Sequence, residues 1–66
     1  MNIINEAVYP LKALRIAKDL SQKELAEIIG ATDISVHNWE HGKHKMSDRN
    51  RYKLAKFFEV RPEQIV

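Results

Sequence analysis

Apolar residues recur at helical spacing along most of the chain, and polar residues with turn chemistry separate the runs. Leu11, Leu14 and Ala17 follow Pro10 at intervals of three, which predicts a first helix reaching towards Leu20, with Asp19 near its end. Ser21 and Glu24 form a capping-box pattern ahead of Leu25 and Ile29, and Gly30 can take the left-handed conformation that stops a helix. Thr32 then suits an N-cap, with Asp33 at the positive end of a third helix running to about His41. That helix has Val36 and Trp39 on one side and Ile34, His37, Asn38 and His41 elsewhere. Gly42 breaks the chain, and Lys43-His44-Lys45-Met46 reads as a loop. Ser47 caps a fourth helix in which Arg51, Leu54, Ala55 and Phe58 share a stripe and Tyr52 is half-buried. Pro62 opens a last turn ending in Ile65 and Val66.

No run alternates with period two, so the expected fold is all-α. It is a compact five-helix bundle centred on Leu14, Leu25, Ile29, Val36, Leu54 and Phe58. Residues 1–66 form one domain, with 21–41 as its helix-turn-helix and 1–8 as an N-terminal arm. Ile3, Ile4 and Val8 are too apolar for a free tail; they either fold back on the bundle or meet a second subunit.

A short helix with an apolar back and an irregular polar front suits the major groove of duplex DNA. Net charge is only +2, but its distribution sharpens this reading. Between His41 and Lys56 there are six cations against Asp48 alone, whereas the rest of the chain has five cations and eight acids. A basic segment directly after a candidate recognition helix is the footprint expected of phosphate contacts, although a solvated helix face would look similar.

Other chemistries find little support. The absence of cysteine excludes zinc-thiolate sites and thiol nucleophiles. His37 and His41 stand four apart with His44 close by, which is metal-ligand spacing, but no fourth ligand other than Glu40 is in view. No cofactor is expected. The serines lack a histidine-acid partner and no glycine-rich phosphate loop exists, so no enzyme is expected. The apolar runs are too short to span a membrane, and the N-terminus does not read as a signal peptide. The lack of cysteine sits easily with a reducing cytosol, and the expected compartment is the cytoplasm.

Taken jointly, several segments resemble the Cro and phage-repressor helix-turn-helix family. They are Leu20-Ser21-Gln22-x-Glu24-Leu25-Ala26, Gly30-Ala31-Thr32, Val36-x-x-Trp39-Glu40-x-Gly42-Lys43 and Leu54-Ala55, within residues 11 to 65. The resemblance implies a lambda-repressor-like DNA-binding domain that is commonly homodimeric and acts in bacterial or phage transcription control. It implies an ion pair between Arg15 and Glu40 that orients the third helix. It places Gln22 on a DNA phosphate, and puts Thr32, Asp33, Ile34, His37 and Asn38 on the base-reading front. Asn38 could read adenine and Ile34 a thymine methyl, while Asp33 is as readily a helix-end residue. Ser35 bonds either a phosphate or its own helix, and His41, Lys43 and Lys45 lie along the backbone.

The chain departs from the family's usual pattern at Met46, where proline is common, and at Glu59, where glycine is common. Ile28 and Phe57 stand where polar residues are usual and hint at a partner surface. The expected function is sequence-specific binding of a near-palindromic operator, as a Cro-like repressor without an effector domain. The alternative is an antitoxin or other protein-binding module that engages its partner through Ile3, Ile4, Val8, Phe57, Ile65 and Val66.

Overall fold

The computed structural model describes residues 7–66. The expectations for Ile3, Ile4 and the rest of residues 1–6 lie outside the described residues. Four α-helices follow in order: α1 (Leu11–Ala17), α2 (Gln22–Ile29), α3 (Asp33–Glu40) and α4 (Asp48–Phe58).

Local chemistry sets each boundary. Pro10 stands just outside α1 with an extended ψ of 136°, and α1 ends before Asp19, whose φ is 56°. The Ser21 hydroxyl accepts from the Glu24 N–H at 3.0 Å, and Glu24 accepts from the Ser21 N–H at 2.8 Å, completing a reciprocal cap on α2. Gly30, at φ 74°, closes α2 in the left-handed region and lets the Ala31 N–H reach the Ala26 carbonyl at 2.8 Å. Thr32 and Ser47 cap α3 and α4 by accepting from the amides of Ser35 and Asn50. Glu59, at φ 60°, ends α4 in the conformation glycine adopts most readily.

The core holds Leu25, Ala26 and Ile29 of α2, Val36 of α3, and Leu54, Ala55 and Phe58 of α4. Leu11, Met46 and Ile65 complete it, and Leu14, Trp39 and Val60 pack at its margin. Leu11 rather than Leu14 is therefore the fully buried residue of α1. Met46 fills space at the entry to α4, anchoring by burial a loop that has no proline.

Three sequence expectations change. The five-helix count does not hold, because Pro62–Gln64 is a single 3-10 turn. After it the chain extends: Ile65 forms a parallel bridge with Tyr9, and the Val66 N–H donates to the Tyr9 carbonyl at 3.0 Å. Those extended pairings leave no room for another helical turn. Tyr52 is 61% exposed, since it falls off the stripe that faces α2. Ile65 is 1% exposed and so cannot meet a partner, in contrast to Val8 and Val66 at 57% and 60%.

Candidate nucleic-acid interface

Glu40, the last residue of α3, anchors that helix to the rest of the molecule. Its carboxylate receives Arg15 Nε at 2.6 Å and Nη2 at 3.0 Å, and Gln22 Nε2 at 3.0 Å. Arg15 Nη1 also donates to the Leu20 carbonyl at 2.8 Å. One guanidinium thus ties α1, the turn after it and the end of α3, while Gln22 adds the start of α2. The Glu40 side chain has no solvent exposure and that of Arg15 has 11%. Burial opposes the charged carboxylate. The hydrogen bonds from Arg15 and Gln22 and the charges of Arg15 and Lys12 outweigh it, holding Glu40 below the ordinary carboxyl range. The Glu40 hydrogen bond raises Arg15 in turn, against its own burial.

This anchor fixes which side of α3 faces outward. Val36 is fully buried and Trp39 half-buried, so Thr32, Asp33 and Ile34 project at the start of the helix and are exposed. Ile34 is 69% exposed, the largest value among the exposed large hydrophobics. Asp33 Oδ1 accepts from the Ile34 N–H at 2.9 Å, which occupies one oxygen as a helix-end group. Thr32 donates its hydroxyl to Ser35 Oγ at 3.0 Å. His37 and Asn38 are half-buried one turn further along.

Beyond the helix the loop folds back on α3. The His37 and His41 rings stack with centroids 4.1 Å apart, and His41 Nδ1 lies 2.8 Å from the His37 carbonyl. The Lys43 N–H donates to the Asn38 carbonyl at 2.9 Å, and Asn38 Nδ2 approaches His44 Nδ1 at 3.5 Å. Gly42 permits this reversal at φ 68°. Lys43 and Lys45 are exposed, and neither side chain has a hydrogen-bonding or ionic partner among the described residues.

Two other cations of the basic segment are used inside the fold. Arg51 donates to the Ile65 and Pro62 carbonyls and secures the C-terminal turn. Lys53 donates to the Ile29 carbonyl at 3.1 Å, satisfying the end of α2. Sequence reasoning missed these two internal roles and the Gln22–Glu40 bond. A lysine opposite orphan carbonyls at a helix end is a recognisable signal only once α2 and α4 are known to be neighbours. Among the described residues no cluster of three or more histidines, cysteines or acids could hold a metal ion, and no helix is long and apolar enough to cross a membrane.

The assembled surface is a short helix held from behind by Arg15 and Gln22, mostly polar in front apart from Ile34, with two unpartnered lysines on the following loop. A family model described as helix-turn-helix matches residues 11–65. No curated protein and no solved structure gives a match. The match spans both the anchor and the exposed front, and the chain belongs to the Cro and phage-repressor helix-turn-helix family of DNA-binding transcription regulators.

Proposed function

We propose that the protein is a Cro-like repressor that reads its operator through the front of α3. The observation that supports this reading is the Arg15–Glu40–Gln22 anchor behind α3, on which Thr32, Asp33 and Ile34 are exposed and His37 and Asn38 half-buried. Rigid support matters because base readout depends on hydrogen bonds placed to within a few tenths of an ångström.

In this reading Asn38 pairs with an adenine edge and Ile34 packs on a thymine methyl. Asp33 acts mainly at its own helix start. Gln22 turns its second amide hydrogen to a phosphate while the first stays on Glu40. Ser35, His41, Lys43 and Lys45 follow the sugar-phosphate backbone. One domain offers few phosphate contacts, so useful affinity at cellular salt calls for two copies on half-sites about one helical turn apart. The operator is then near-palindromic and the bound form a homodimer. Such a regulator works where the DNA is, in the cytoplasm of a bacterium or a phage-infected host.

Transcription in vitro from a promoter overlapping an operator selected from random duplexes tests the sign of regulation. The expected result is loss of transcript as occupancy rises. A rise in transcript with occupancy would make the protein an activator and overturn the repressor reading.

A further inference from the structure

On the side formed by α2 and α4, Ile28, Ile29, Lys53, Lys56 and Phe57 line an open groove of about 360 Å³. No residue of α3 or of the loop after it belongs to this lining. Ile28 is 47% exposed and Phe57 half-exposed, so the floor presents apolar surface to solvent. The rim is cationic. Lys53 and Lys56 stand on it, and Lys18 Nζ lies 5.4 Å from the centre of the Phe57 ring. Glu24, one turn before Ile28 on α2, is folded back onto the Ser21 N–H.

We propose that this groove docks an acidic segment of a partner protein through one or two apolar anchors flanked by carboxylates. An apolar anchor covers Ile28 and Phe57, and its carboxylates meet Lys18 and Lys56 at the rim, while Lys53 keeps its bond to the Ile29 carbonyl. Charge complementarity selects this occupant. A basic segment would meet three ammonium groups. A second copy docked by a two-fold axis through this groove would set Lys53 and Lys56 against their own counterparts. A duplex would satisfy the lysines but leave the apolar floor uncovered. Because the groove lies apart from α3, the partner binds without displacing DNA.

The test uses the full chain as bait for a displayed library of random peptides, followed by affinity measurement with the enriched sequence made synthetically. The expected winners combine Asp or Glu with Leu, Ile or Phe. Ile28→Asp and Lys56→Glu each weaken their binding by about tenfold or more, while DNA affinity is unchanged. Thermal unfolding of both exposed-site variants checks that they remain folded. Absence of enrichment, winners without acidic residues, or binding indifferent to both substitutions would overturn the proposal. A concentration-dependent dimer that Ile28→Asp abolishes would assign the groove to a second copy instead.

Discussion

Arg15 and Glu40 meet through two hydrogen bonds of 2.6 and 3.0 Å across 25 residues of sequence, with the carboxylate fully enclosed. Removing one partner leaves a buried charge uncompensated, so Glu40→Ala and Arg15→Ala should each cost about 3–5 kcal/mol in urea unfolding. The double variant Arg15→Met with Glu40→Leu should cost less than either, because no charge is stranded. A double variant as damaging as the sum of the singles would mean that the two side chains are not coupled and would contradict the pairing.

The same pair sets an acid response. Glu40 titrates below its ordinary value in the folded protein, so its ionised form contributes stability above the unfolded pKa of about 4.3. That contribution is lost as pH falls through the lower folded value. Glu40→Gln, which cannot titrate, should be less stable than the native chain at neutral pH. The gap between their unfolding midpoints should narrow steadily as pH drops below about 4. A gap independent of pH would remove Glu40 from the acid response.

How far the sequence carries the argument differs between local and distant features. Caps were legible because their partners are three residues apart: Ser21 with Glu24, and Thr32 with Ser35. The end of the chain was not, because Pro62 reads equally as the opening of a helix, and only pairing with Tyr9 draws Ile65 into an extended bridge. Arg15 and Glu40 were pointed to by family resemblance, since no periodicity links residues so far apart. The Gln22 bond to Glu40 was missed for the same reason. The basic segment misled in part: composition counts charges, but Arg51 and Lys53 spend theirs on carbonyls inside the fold.

Left-handed residues offer a stability test away from the interface. Glu59 sits at φ 60° where a side chain is strained, so Glu59→Gly should stabilise by about 1 kcal/mol, raising Tm by about 4–8 °C. Gly30→Ala should destabilise by a similar amount. An added Cβ there has only Lys53 Nζ nearby, at 3.9 Å, so the cost is backbone strain rather than a clash. Calorimetric melts of both variants would check the signs. A lower Tm for Glu59→Gly would contradict the account of how α4 ends.

Lys43 and Lys45 should act on affinity but not on sequence choice. Each neutralised phosphate contact lowers the slope of log affinity against log salt by about 0.9, so Lys43→Ala or Lys45→Ala should flatten it by that amount per subunit. Reversing both charges should abolish binding at moderate salt. Gel-shift titrations over a salt series read the slope directly, and an unchanged slope would take these lysines off the backbone.

Asn38 should do the opposite. Asn38→Ala should leave binding to random DNA unchanged and reduce discrimination at one base pair by about 1–3 kcal/mol. Competition between duplexes differing only at that pair would measure it. Equal discrimination in the two proteins would move base reading elsewhere on α3.

The central claim is that α3, held by Arg15, Glu40 and Gln22, reads a specific operator as part of a pair of subunits. Selection of bound duplexes from a random pool at moderate salt, followed by sequencing, tests it most directly. The account predicts a near-palindrome with half-sites about one helical turn apart, in which the positions relaxed by Asn38→Ala fall symmetrically. A pool that emerges unenriched, or enriched for a single asymmetric site, would contradict it.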